Sequence, residues 1–358
     1  MALPIPVVWT DEHRLHHPET AVWIGVPIEA DELPERAEAI RAALAQAGAP
    51  IVPASSHPDE PLLAVHDPEL VAFLSGAWEA LVTACLPEGS GRPDVVGYIF
   101  PTPGFLAGLE PRLPTALSAR TGAYCYDTMT GVAEGTWEAA RAAVDAALTA
   151  ADLVLGGVRA AYACCRPPGH HVTRDAFGGS CYLNNAAIAA QYVRDNDCSR
   201  VAVLDLDAHH GNGAQAIFWE RDDVLTGSVH VDPAYGWFPH FLGFADERGG
   251  GAGAGANVNV PLEPGSGDDE WLVGVERLAD AARAHGSMAL VVPLGVDSAA
   301  DDPNAPLAVS EDGFREAGRL LRALELPTVF VQEGGYVLDT IGSLVRATLE
   351  GFEEAGRS

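Results

Sequence analysis

The sequence predicts an α/β protein in which a mostly parallel central sheet lies between helical layers, and three observations carry that expectation. Short runs rich in β-branched residues, at 201–204, 228–231, 289–294 and 328–331, alternate with segments whose apolar residues recur at helical spacing. Runs such as 201–204 (VAVL) and 289–294 (ALVVPL) are apolar at every position. That pattern belongs to strands covered on both faces, hence to a parallel sheet sandwiched by helices. Finally, 358 residues that are 48% hydrophobic can bury one large core, and no break in composition or internal repeat divides them. A single domain over residues 1–358 follows.

Taken in order, the chain opens on a short apolar run without a basic leader or a small-residue cleavage site. No stretch of about eighteen apolar residues occurs, so neither a signal peptide nor a membrane span is expected. Residues 34–46 (PERAEAIRAALAQ) and 137–155 read as amphipathic helices, as do 270–284, 313–324 and 341–352. Between the first two, residues 87–121 are rich in Pro and Gly and have no clear period. A structureless loop of that length is uncommon in a compact domain, so the segment reads as a functional or interface insertion. Residues 161–164 suit a short strand. The GGGAGAGA run at 249–256 contains a GxGxxA match, but it follows a polar ADER segment and leads into NVNVP. A dinucleotide loop needs a strand before it and a helix after it. The six cysteines (Cys85, Cys125, Cys164, Cys165, Cys181, Cys198) include no CxxC, as expected of a reduced, cytoplasmic chain.

Every one of the 21 basic residues is arginine, against 50 Asp and Glu, for a formal net charge of −29. Such a surface aids solubility, repels nucleic-acid phosphate and anionic lipid, and steers small cations inward. Neither nucleic acid nor a membrane is expected as a partner.

The residues that end each strand run carry the chemistry. Val201–Leu204 leads into Asp205-Leu206-Asp207-Ala208-His209-His210-Gly211-Asn212; the 289–294 run ends in Gly295-Val296-Asp297; the 328–331 run ends in Gln332-Glu333-Gly334-Gly335-Tyr336. Ligands of open parallel sheets bind beyond the carboxyl ends of the strands, so Asp207, His209, Asp297 and Tyr336 are expected at one edge. Two carboxylates and an imidazole can hold a divalent metal and leave a position open for water. Without a cation, burying Asp205 and Asp207 together would cost on the order of several kcal/mol per unpaired ion. The 161–164 run leads into Arg166-Pro167-Pro168-Gly169-His170-His171, a rigid turn that delivers two adjacent imidazoles. Opposite a metal, one imidazole can take a proton from water while its neighbour supplies charge. Asp205 and Asn212 are available to the other ring nitrogens.

As a set, RPPGHH at 166–171, GGSCYLNNAAIAA at 178–190, LDLDAHHGNGAQ at 204–215, SVHVDP at 228–233, GVDSAADDP at 295–303 and EGGY at 333–336 resemble the histone deacetylase superfamily. Within it, the likeness is to the bacterial acetylpolyamine amidohydrolases, and it runs from WTDEHRLHHPE at 9–19 to GFEEAG at 351–356. The resemblance implies an arginase/deacetylase-like, three-layer α/β/α fold. It implies one zinc ion held by Asp207, His209 and Asp297, and a structural potassium ion held by Asp205 and Ser228. His171 would be general base and then acid, with His170 as its electrostatic neighbour. Asp205 would orient His170, Asn212 would orient His171, and Tyr336 would donate a hydrogen bond to the amide carbonyl. The likeness places Arg36 on an internal channel and Asp127 at the pocket rim. It also makes the 87–121 insertion a homodimer interface that narrows the pocket.

Two positions depart from the family pattern. Ser180, next to Gly179, stands where an aromatic residue usually flanks the acyl channel, and Asn304 stands where the gatekeeper is usually apolar or acidic. Phe238 provides the opposite wall. A serine there widens the channel and makes acyl groups larger than acetyl admissible, unless Trp237 or His240 fills the gap. The expected activity is zinc-dependent removal of an acetyl group from an acetylated polyamine or similar small cationic amine. The alternative is an acetyl-lysine deacetylase acting on peptides or proteins. A two-metal ureohydrolase needs a DxHxD run, and Gly211 takes the place of its last carboxylate. A non-catalytic binder is disfavoured because every expected catalytic position is filled. His13, His16, His17, His66 and His230 are assigned to core or surface.

Overall fold

A computed structural model of the chain describes residues 2–84, 94–196 and 198–355. Its centre is an eight-stranded sheet made of β1 (Val7–Trp9), β4 (Ile51–Pro53), β5 (Ala160–Ala163), β6 (Val201–Asp205), β7 (Val224–Val231), β8 (Asn257–Leu262), β9 (Ala289–Leu294) and β10 (Thr328–Gln332). The strand order is β4-β1-β5-β10-β9-β6-β7-β8, and each pairing is parallel. A separate antiparallel hairpin, β2 (Thr20–Trp23) with β3 (Val26–Glu29), stands off the sheet.

Alternate residues of a strand face opposite sides, so each central strand feeds two cores. In β10, Val329 and Val331 enter one core and Phe330 the other. The first core is closed by the helices Pro68–Ala84, Thr136–Leu155 and Asn185–Asp195. The second is closed by Pro34–Gln46, Asp268–His285, Glu311–Arg322 and Ile341–Glu354. This is the three-layer architecture expected from the all-apolar strands.

Every expected helix and strand is present, most with ends shifted by a residue or two; β7 begins earlier, at Val224. Short β1 and β4 carry too few residues to show a period. In β8, polar Asn257 and Asn259 are buried, and they answer to the site rather than to the core. Of the expected insertion, residues 87–93 lie outside the described residues, as does Cys85. The rest of it holds a short helix, Pro103–Leu106, and exposes Tyr98, Ile99, Phe105 and Leu109. The glycine-rich run makes a single 3-10 turn, Gly251–Gly253, and leads into β8 rather than a helix. A Cβ on Gly253 would come within 2.5 Å of the Trp219 carbonyl oxygen, so close backbone approach explains the glycine there. Cys125, Cys164, Cys165 and Cys181 are buried free thiols. Among the described residues, no helix is long and apolar enough to cross a membrane.

Candidate active site and metal centre

The strands β5, β10, β9 and β6 are consecutive in the sheet, and the chain leaving each one carries a motif singled out above. Parallel direction puts all four carboxyl ends at the same edge, so groups far apart in sequence converge there.

The donor atoms of Asp207, His209 and Asp297 lie within 4.8 Å of one another. His209 Nδ1 is 3.1 Å from Asp207 Oδ1 and 3.0 Å from Asp297 Oδ2. Both carboxylates are fully buried, while the imidazole reaches the cavity. Backbone amides hold them in place: Gly334 N–H donates to Asp207 Oδ2 at 2.7 Å and Ala208 N–H to Asp297 Oδ1 at 2.8 Å. A Cβ on Gly295 or Gly334 would collide with Asp207 Oδ2, so glycine at both positions leaves room for the carboxylates. Burial opposes the His209 imidazolium, yet the two carboxylates outweigh it and push its pKa up to about 10. Burial and the neighbouring Asp207 raise Asp297. Two acids crowded around one cationic proton are a donor set that suits a divalent cation, and zinc fits it with a position to spare.

Beside this group, His170 Nδ1 is 3.0 Å from Asp205 Oδ2, and His171 Nδ1 is 2.7 Å from Asn212 Oδ1. The rings of the two histidines stand 4.0 Å apart, and His171 is 6.0 Å from the His209 ring. Their environments separate them. Burial disfavours charge on His170, but Asp207 and Asp205 prevail and push its pKa up to about 10. Burial, then the positive charges of His170 and His209, hold His171 well below its usual value. His171 is therefore the neutral member of the pair, beside a charged partner. Glu333, which sequence reasoning left inside its motif, accepts from the N–H groups of Gly169 and His170 at 2.7 and 3.1 Å. It thereby fixes the turn that carries both imidazoles.

Tyr336 faces the same cavity, and Arg36 stacks on its ring with the guanidinium carbon 4.6 Å from the centroid. Arg36 does not line the cavity. It is buried behind Tyr336 and donates to the carbonyl oxygens of Gly335 (2.5 Å) and Glu333 (2.6 Å). Burial raises the phenol well above its usual pKa, against the pull of Arg36, so it stays a donor. Asp205 and Ser228 are register partners on β6 and β7 and share a small polar cavity of about 10 Å³ with His210, Gln215 and Asn259.

The main cavity, of about 1090 Å³, is lined by Gly179, Ser180, Phe238, Asn304 and Asp127 among others. Phe238 lies edge-on to His171 at 4.7 Å. Across from it stands Tyr126, nearly parallel to Phe238 at 6.4 Å, with its hydroxyl donating to the His171 carbonyl oxygen at 3.0 Å. Sequence reasoning missed Tyr126, whose only signal was its place beside Asp127. The Asp127 carboxylate faces inward: Oδ1 accepts from Met129 and Thr130 N–H, and Oδ2 from Gly179 N–H and the Thr130 hydroxyl. His13 and His16 are buried, and His16 reaches the cavity wall, whereas His17 is exposed.

A profile of the histone deacetylase domain matches residues 30–352. Acetylpolyamine amidohydrolase 1 of Pseudomonas aeruginosa is 41% identical over 351 residues, covering 98% of this chain and 99% of its own. The acetylpolyamine amidohydrolase of Mycoplana ramosa is 39% identical over 349 residues, covering 96% and 98%. The crystal structure of acetylpolyamine aminohydrolase from Burkholderia pseudomallei superposes with a TM-score of 0.92 at 40% identity, over 98% of this chain and 99% of that one. With four strand ends converging as the motifs required and this likeness along nearly its whole length, the chain belongs to the histone deacetylase family.

Proposed function

We propose that the protein is a zinc-dependent amidohydrolase that releases acetate from an acetylated polyamine or a similar small cationic amine. The observation that carries this reading is the His171 imidazole, its Nδ1 paired with Asn212, set beside the Asp207–His209–Asp297 donor group in one cavity. The names of the full-length relatives support the substrate class.

Asp207, His209 and Asp297 would hold zinc, which when bound supplies Lewis acidity toward water and an amide carbonyl. His171 Nε2, left bare by the Nδ1 contact with Asn212, accepts the proton of the attacking water. His170, held charged by Asp207 and Asp205, lends positive potential to the oxyanion that develops. Tyr336 donates a hydrogen bond to the same oxygen. His171 then returns its proton to the nitrogen of the leaving amine, and the products are acetate and a free amine.

Asp205 and Ser228 would hold a potassium ion beside this centre, in the small polar cavity between β6 and β7. The 87–121 insertion, which exposes Tyr98, Ile99, Phe105 and Leu109, would be the surface on which a second copy docks and narrows the mouth. Light scattering would read a mass of two chains.

The test is acetate release from acetylputrescine, acetylcadaverine, acetylspermidine and an acetyl-lysine peptide, with and without a chelator. Cleavage of the small amines that stops on chelation and returns with zinc supports the reading. Cleavage of the peptide alone would favour the acetyl-lysine alternative.

A further inference from the structure

Four acidic residues line the main cavity among the described residues: Glu29, Asp31, Glu32 and Asp127. Two of them are already matched. Glu32 Oε1 lies 2.8 Å from Arg36 and 2.9 Å from Arg166, so two guanidinium groups neutralise it. Asp127 accepts four hydrogen bonds from its own turn and from Gly179. Asp31 differs. Its carboxylate is exposed, and the partner found for it is neutral: Asn304 Nδ2 donates to Asp31 Oδ2 at 3.3 Å, across 273 residues of sequence.

That asparagine is itself built in from two sides. Its backbone N–H donates to Asp302 Oδ1 at 2.9 Å, and Trp237 Nε1 donates to its carbonyl oxygen at 3.1 Å. Asp302 in turn accepts the N–H of Tyr336 at 2.7 Å. One chain of hydrogen bonds therefore runs from the Tyr336 backbone, through Asp302 and Asn304, to the Asp31 carboxylate on the cavity wall. An amide donor orients a carboxylate without cancelling its charge. The result is an oriented carboxylate on the cavity wall, held by the same asparagine that the indole of Trp237 bonds.

We infer that Asp31, oriented by Asn304, receives the free ammonium group at the far end of the acylated amine and so selects cationic over neutral amides. This rests on the small-amine reading above and names the residue that enforces it. Asp31 is a specificity-determining residue, and its contribution belongs to substrate binding more than to the chemical step. Glu29, at the end of the hairpin, has no such link to Tyr336.

The experiment compares acetylputrescine with N-butylacetamide, which has the same acyl group and chain but no distal amine. Zinc-loaded wild type, Asp31→Asn, Asn304→Ala and Glu29→Gln are assayed, and calorimetry measures acetylputrescine binding to the chelated proteins. The Asp31→Asn substitution should raise KM and Kd for acetylputrescine about fivefold or more, with kcat less affected, because a partly exposed ion pair is lost. The preference for acetylputrescine should fall in that variant and in Asn304→Ala, and persist in Glu29→Gln. A wild-type preference that survives Asp31→Asn, or that Glu29→Gln abolishes instead, overturns the role of Asp31 and leaves the small-amine reading standing. A wild type that cleaves the two amides equally well overturns the distal-charge idea, and failure to cleave either one overturns both readings.

Discussion

The Asn212 side chain makes two hydrogen bonds to one residue: Oδ1 lies 2.7 Å from His171 Nδ1, and Nδ2 donates to the His171 carbonyl oxygen at 3.2 Å. The second bond fixes which way the amide faces, so the first requires the His171 proton on Nδ1 and leaves Nε2 as a lone pair. One asparagine thus sets the tautomer that a general base needs. Asn212→Ala should lower kcat by about ten- to a hundredfold with the metal retained. Asn212→Asp should move the acid limb of the pH–rate profile to higher pH, because a carboxylate stabilises the imidazolium.

Tyr336 has its ring on Arg36 and its backbone N–H on Asp302, so the hydroxyl is the part left to act. Tyr336→Phe should lower turnover by about two to three powers of ten, as loss of one oxyanion donor does. Metal content by emission spectroscopy should stay at the wild-type level, which separates the phenol from the metal ligands.

Replacement of a donor in the Asp207–His209–Asp297 group should have the opposite signature. Asp297→Asn should release the metal and abolish activity, and wild type should carry one zinc per chain. Two metals per chain would point to ureohydrolase-type chemistry.

Acid stability follows from the buried histidines. His66 Nδ1 contacts the Thr173 carbonyl while Nε2 accepts the N–H of Asn184, and His230 is held in the same way between Ser228 and the Gly243 carbonyl. His66 must be neutral to accept the Asn184 N–H. Burial is the first cause that lowers His16, His66 and His230 to about 4. The unfolded chain binds protons to these rings below its own pKa of about 6.5, whereas the folded chain does so only near 4. The stability that these three rings contribute is therefore fully present above about pH 6.5 and is lost as pH falls toward 4, by up to about 3 kcal/mol per ring. Thermal melts across that interval should show a steep fall in Tm.

Ser180 brings no ring to the channel wall, and Tyr126 stands nearly parallel to Phe238 at 6.4 Å. Acetyl, propionyl and butyryl putrescines should differ less in kcat/KM for wild type than for Ser180→Phe. Strict acetyl preference in wild type would show that Tyr126 closes the gap fully.

Much of the site was legible in the chain because its groups sit in short runs at strand ends. Asp205 to Asn212, His170 with His171, and Glu333 to Tyr336 each follow a strand whose apolar pattern announces it, and parallel strands deliver their tips to one edge. Folding therefore had only to bring together runs already in working order. The helices of 34–46 and 341–352 were visible for a similar reason, since a buried stripe imposes its period on the sequence. Helix 185–195 was less so, because its alanines are buried nearly all round.

What the tertiary structure alone decided are the relations that link distant positions through single hydrogen bonds or ring contacts. Arg36 behind Tyr336, Tyr126 over the channel, Asp31 facing Asn304 and the His171 tautomer are all of this kind. Such contacts join one residue to one other across a hundred or more positions, or depend on which way an amide turns. They impose no period and no composition, so they leave no trace in the order of the amino acids until the strands and loops have packed.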